Sequence, residues 1–338
     1  MIRKRVGSVS SASGWVRAMA GALVLIHAPA WSQGNAPQPP SSEDQQRMRE
    51  AQERFNATPD TKGTGPFAAM KEEVTSLPDH VVYRPADLTK LGGKKLGVVA
   101  WGNGACSSDG ASARMHLLEI ASHGYLVIAN GKIKSGPGIQ PEPPPPPRTD
   151  GQLPPPATSS KQLTDAIDWA LAENSRKGSD LYGRIDPKAI AVAGFSCGGL
   201  QALQVAGDKR LRAVIIQNSG IFNPESAVRM PSMDLGKDTL KSLHTPVLYI
   251  LGGPKDIAYN NGMDDYRRIE HVPAAVANLD VGHGGTYNEP NGGRAAQVAV
   301  AWLEWQMRGD ANARQWFVGP DCRLCADKDW ELETKNLN

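Results

Sequence analysis

The chain has 338 residues, enough to bury a sizeable core in one large domain or two small ones, and its 37 lysines and arginines nearly balance 35 aspartates and glutamates. Its departure from ordinary globular composition is 26 prolines. Four positive charges and no negative ones lie in the first 32 residues, so beyond them the formal balance changes from +2 to −2, and without a Lys/Arg cluster there is no electrostatic footprint for nucleic acid.

Those four charges, Arg3, Lys4, Arg5 and Arg17, precede the apolar run AMAGALVLI and then HAPAWSQG, where Ala28, Pro29 and Ala30 form a small-residue cleavage pattern. Residues 1–32 therefore read as a secretory signal peptide, which makes the protein secreted or periplasmic. The run is too short, and too soon followed by proline, tryptophan and glutamine, for a membrane span, and no cysteine follows it to carry a lipid. Export also lets the four cysteines pair as disulfides. Residues 33–77 read as a polar N-terminal extension. QGNAPQPPSSEDQQ is a proline-rich tether, and EDQQRMREAQERFN, with only Met48 and Phe55 as apolar anchors, is at most an exposed helix.

From residue 78 to 317 short apolar runs alternate with helical segments, starting with HVVYRP. KLGVVAW, GYLVIAN, AIAVAGF, RAVIIQN and PVLYILG read as buried strands. ASARMHLLEIASHG, KQLTDAIDWALAENSR and GGLQALQVAG carry apolar residues at helical spacing, and RAAQVAVAWLEWQMRG is a further helix. This alternation predicts an α/β fold: a mostly parallel sheet with helices on both faces. Residues 131–160, GKIKSGPGIQPEPPPPPRTDGQLPPPATSS, are too long and proline-rich for an ordinary loop and read as polyproline II and turns. They leave the carboxyl end of the YLVIAN strand, where parallel sheets bind ligands, so they are either a rim or partial lid over a site or an inert insertion.

Gly194, Phe195, Ser196, Cys197 and Gly198 fit GxSxG between a strand and a helix. A turn sharp enough to present Ser196 at a strand's end brings neighbouring backbone close, and Gly194, Gly198 and Gly199 supply the small residues it needs. A phosphate cradle is the rival reading of such a turn, but neither GxGxxG nor a GKS/GKT ending is present. A serine hydroxyl needs a base, and the base an orienting acid. Of the three histidines beyond Ser196, His244 precedes a strand, at the wrong end of the sheet, and His271 ends a charged helix-like run. His283 follows a short apolar strand, among glycines, and is the candidate base. For the acid, Asp256 in the turn after PVLYILGG is placed better than Asp264, Asp265 or Asp280. The order Ser196, Asp256, His283 is that of α/β-hydrolases.

The stretch from about residue 80 to 317 resembles an α/β-hydrolase, and within that superfamily it is similar to dienelactone-hydrolase-like and cutinase-like polyester-hydrolase serine esterases. The resemblance extends to VVAWGNGA after an early strand. By position it implies an oxyanion hole built from the backbone N–H of Asn103, or of Gly104, and that of Cys197, where fixed donors can meet the developing anion. Trp101, Phe195, Ile257 and Tyr287 are candidates to line the acyl pocket. They could equally be core residues.

Cys106 ends that loop and Cys197 follows the nucleophile, so of the three possible pairings Cys106–Cys197 with Cys322–Cys325 needs no long reach. The first bridge would hold the oxyanion loop against the nucleophile turn. The second lies in the C-terminal tail, residues 318–338, where GPDCRLCADKDW has no preceding strand as in a thioredoxin turn and no partner motif for zinc. The expectation is an exported hydrolase of small-molecule or polymeric carboxylic esters, with no metal or organic cofactor. A serine peptidase, an acyltransferase and an inactive envelope-binding protein remain the alternatives.

Overall fold

Among the described residues, nine strands of one sheet account for most of the short apolar runs, and two of the nine come from segments that carry no such run. A computed structural model describes residues 41–140, 155–224, 233 and 235–337. The segment read as a signal peptide and the centre of the proline-rich insertion lie outside the described residues. The strands are β1 (Ala69–Glu73), β2 (His80–Pro85), β3 (Leu96–Gly102), β4 (Tyr125–Asn130), β5 (Ile185–Phe195), β6 (Ala213–Gln217), β7 (Val247–Leu251), β8 (Ala274–Leu279) and β9 (Trp330–Lys335). Their order across the sheet is β1-β2-β4-β3-β5-β6-β7-β8-β9. Strands β3 to β8 are mutually parallel, while β1, β2 and β9 run antiparallel to their neighbours.

Side chains alternate across this sheet with a period of two, and each face has its own core. Leu96, Val98, Ala100, Val192, Val214 and Tyr249 point to one face. There they meet helices α3 (Ser160–Ser175), α4 (Cys197–Val205) and α5 (Tyr259–Arg268). Val99, Trp101, Ala193, Ile215 and Leu248 point to the other, against α2 (Arg114–Ser122) and α6 (Gly293–Arg308). In α6, Ala295, Val298, Ala299, Trp302 and Leu303 recur at helical spacing and are buried, and the helix stops at left-handed Gly309. The remaining α-helix of the described residues longer than four residues, α1 (Ser42–Ala57), carries a capping box at Ser41 and Asp44. Arg114, fully buried, donates to the carbonyls of Phe55 and Thr58 at its end.

The chain therefore leaves β3 toward α2 on one face and β5 toward α4 on the other, although β3 and β5 are adjacent. That divergence opens a crevice at their carboxyl ends, which is where ligands bind in such sheets. The sheet reaches beyond residues 78–317 at both ends. β1 (AMKEE) and β9 (WELETK) are charged edge strands, and the charges that keep an edge from pairing with another chain also erase the apolar run that marks a strand. No described helix is long and apolar enough to cross a membrane.

Candidate active site

Ser196 follows the last residue of β5 and caps α4 with φ 52° and ψ −121°, a conformation that costs a non-glycine residue about 1–3 kcal/mol. Its surroundings fix it there. Its N–H donates to the Gln217 carbonyl (2.9 Å), and its own carbonyl accepts from Ser219 Oγ (2.6 Å) and Gly199 N (2.9 Å). A Cβ on Gly194 would lie 2.2 Å from the Gly198 carbonyl oxygen, and one on Gly198 would lie 2.0 Å from the Gly102 carbonyl carbon. Backbone thus packs on backbone between the Ser196 turn and the end of β3, and no side chain fits between them.

Beyond Gly102 the chain makes a 3-10 turn over Gly104–Cys106 in which Ala105 (φ 53°) and Cys106 (φ 47°) are both left-handed. Cys106 is disulfide-bonded to Cys197, the first residue of α4. The Cys106 carbonyl accepts from Ala157 N (3.1 Å), Thr158 N (3.0 Å) and Thr158 Oγ1 (3.0 Å), so the far end of the proline-rich insertion braces this turn. The buried Asn103 side chain is a second brace, its Nδ2 donating to the carbonyls of Asn130 (2.6 Å) and Ser107 (3.0 Å). The Asn103 amide nitrogen is 2.6 Å from the point a Gly198 Cβ would occupy.

On the other side of Ser196, His283 Nε2 is 3.0 Å from Ser196 Oγ and His283 Nδ1 is 2.6 Å from Asp256 Oδ1. Asp256 sits in the turn after β7 and is buried. Its Oδ1 also accepts from Ala258 N (2.9 Å), and its Oδ2 from Gly252 N (3.1 Å) and Asn218 Nδ2 (2.8 Å). Burial alone would raise this carboxyl's pKa. The hydrogen bond from His283, its charge, and the two amide N–H groups outweigh burial and lower it from the usual range. The strand order thus brings together one hydroxyl, one imidazole and one carboxylate in a continuous hydrogen-bond chain.

A model of the PET hydrolase-like family matches residues 56–334. The chain belongs to that family. It is accordingly a carboxylic ester hydrolase of the α/β-hydrolase type, and the matched span takes in β1 and all but the last residue of β9. No curated protein matches the chain.

Of the four residues considered for the acyl pocket of this hydrolase, Trp101 is wholly buried in the α2/α6 core, its ring 5.3 Å from that of His116. Tyr287 is buried beside them, with its hydroxyl reaching Asn218 rather than the crevice surface. Phe195 is half-buried, with ring centroids 5.3 Å from His283 and 4.6 Å from Tyr287. Ile257 is 76% exposed next to Asp256. The rival acids are occupied otherwise: Asp264 and Asp265 pair with Lys237, and Asp280 faces Lys255 at the rim. His244 and His271 precede β7 and β8, at the opposite end of the parallel strands. A cavity of about 540 Å³ lined by Arg84, Asp87, Tyr182 and Arg184 also lies at that opposite end, away from Ser196.

Sequence reasoning passed over Asn218, His116 and Thr158. Asn218 lies directly after β6 with φ 44°. A polar residue in QNSG where an apolar strand meets the crevice is the signal that points to it.

Proposed function

We propose that the protein is an exported serine esterase in which Ser196 is the nucleophile, His283 the general base and Asp256 the acid that orients it. The hydrogen-bond chain from Ser196 Oγ through His283 to Asp256 carries this reading. His283 takes the hydroxyl proton as Ser196 attacks the ester carbonyl and returns it to the leaving alcohol. Water activated by His283 then releases the acid from the acyl-enzyme. The N–H groups of Asn103 and Cys197 hold the oxyanion, with the N-terminus of α4 adding favourable dipole. The Cys106–Cys197 bridge fixes the spacing of these two donors before substrate arrives.

For the substrate we favour polymeric or extended esters. The rim beside Asp256 and His283 presents exposed apolar side chains, Ile257 at 76% and Val281 at 42%, an open platform for an apolar chain lying across the site. Export is supported by the cleavable N-terminal pattern and by two disulfides that an oxidising compartment would maintain.

Ser196→Ala tests the mechanism. It should lower hydrolysis of a nitrophenyl ester by roughly 10⁶-fold while the folded state is retained by circular dichroism. Activity within tenfold of wild type would exclude Ser196 as nucleophile.

A further inference from the structure

Among the described residues, Asp256 makes hydrogen bonds with two side chains: His283 on one oxygen and Asn218 on the other. The Asn218 amide reaches further than the carboxylate. Its Nδ2 also donates to the carbonyl of Gly282 (3.2 Å), the residue before His283, so one amide joins the acid to the loop that carries the base. Its Oδ1 accepts from Tyr287 Oη at 2.5 Å. Burial, with the charge of Asp256, pushes the Tyr287 hydroxyl well above its ordinary pKa, so it remains a neutral donor. The Asp256 carboxylate and the Gly282 carbonyl, which can only accept, settle which way the amide points, because a flipped Asn218 would set oxygen against both; that leaves Oδ1 for the Tyr287 hydroxyl to hold. The left-handed backbone at position 218 is one that asparagine tolerates better than most residues.

We infer that Asn218 is a positioning residue for the hydrolytic reaction, acting through Asp256 and the His283 loop, with Tyr287 holding its amide in the working orientation. The inference rests on the Ser196, His283 and Asp256 reading. Its physical content is twofold. Asn218 fixes the distance between acid and base, and by donating to Asp256 Oδ2 it disperses the carboxylate charge that the imidazolium feels. Removing the donor concentrates that charge, so the imidazolium holds its proton more tightly and the acid limb of kcat/KM moves to higher pH. The other ionisable groups around the pair are few. Tyr287 stays neutral, and His116 beneath it, with its pKa lowered by burial to about 3, is uncharged at working pH. Lys255 and Asp280 lie 3.7 Å apart at the exposed rim, where solvent screens them.

The experiment measures kcat and KM against pH for wild type, Asn218→Gly and Tyr287→Phe on a soluble nitrophenyl ester, with fluorophosphonate labelling mapped by peptide analysis. Glycine accepts the left-handed backbone, so Asn218→Gly removes the amide without adding strain. It should lower kcat roughly ten- to a hundredfold with KM within about a factor of two. Its acid limb should rise by on the order of half a pH unit. Tyr287→Phe should shift the limb in the same direction by less, and it decides the question alone should Asn218→Gly fail to fold. A merely structural role would lower melting temperature and leave the limb unmoved in both variants, and that result overturns the inference. Wild-type protein that is not labelled on Ser196 would overturn the nucleophile assignment instead, which separates the two failures.

Discussion

The two halves of the site are held by different kinds of force. On the Ser196 side glycine backbones of β5, α4 and β3 touch, two consecutive left-handed residues shape the turn, and the Cys106–Cys197 bridge closes it. On the acid–base side nothing is covalent: Asp256, His283, Asn218 and Tyr287 form a chain of side-chain hydrogen bonds from three separate connections. The difference follows from what each half does in the proposed mechanism. Oxyanion donors act through fixed distances of about 2.7–3.1 Å, which rigid backbone supplies. A base that gains and loses a proton needs partners that accommodate both charge states, which hydrogen bonds supply.

Cutting the covalent half should have the larger effect. The Cys106–Cys197 bridge spans 91 residues, and closing a loop of that length is worth about 4.6 kcal/mol in the chain-entropy model. A Cys106→Ser, Cys197→Ser double variant should therefore lose most of that stability in urea unfolding. The variant should also lose kcat by roughly tenfold or more at temperatures where it remains folded, because left-handed Ala105 and Cys106 can then relax. Unchanged kcat in the folded variant would mean that the glycine contacts alone hold the donors. The bridge should resist reductant in the native protein, since Cys106 and Cys197 are 0% and 2% exposed.

The covalent half was also the more legible in sequence. GFSCGG announces its own geometry, because a strand-to-helix turn around a serine demands small neighbours and places residue 197 facing the loop after β3. Asp256 and His283 followed from the position of their turns beyond β7 and β8. What escaped was whatever depends on side-chain direction or on edges. Trp101 and Tyr287 adjoin the site in sequence, yet strand alternation turns Trp101 into the α2/α6 core and Tyr287 packs beside it. β1 and β9 are too charged to signal a strand. Asn218 needs three partners from remote segments to acquire a role, and no local pattern encodes them.

The hydrogen-bonded half should show itself in acid. His116 packs 5.3 Å from the rings of both Trp101 and Tyr287, and burial lowers its pKa from 6.5 to about 3. A histidine depressed in the folded state contributes stability that is full above about pH 6.5 and is lost as pH falls toward 3, since the unfolded chain takes up the proton first. At pH 5 the loss is about 2 kcal/mol relative to pH 7. Unfolding free energies of wild type and His116→Gln, measured at both values, should converge by that amount on going to pH 5. Parallel curves would show that His116 becomes protonated in the fold. Gln217 Nε2 lies 3.1 Å from His116 Nε2, and it is burial of the ring that favours the uncharged form.

The second disulfide completes the contrast, being covalent but remote from the chemistry. Cys322–Cys325 closes a separation of three residues, worth under about 2 kcal/mol by the same loop argument. Its segment has other anchors. Arg294 reaches Asp327 (2.5 Å) and Asp329 (2.7 Å), Arg323 stacks 4.0 Å over Trp316, and β9 pairs with β8 along its whole length. A Cys322→Ser, Cys325→Ser variant should therefore melt only slightly below wild type and hydrolyse a nitrophenyl ester at the wild-type rate. The comparison with the Cys106–Cys197 variant isolates position from bond type. A loss of kcat as large as that of the first variant would mean that any cross-link rigidifies this enzyme, and that the placement of one bridge beside Ser196 has no special consequence.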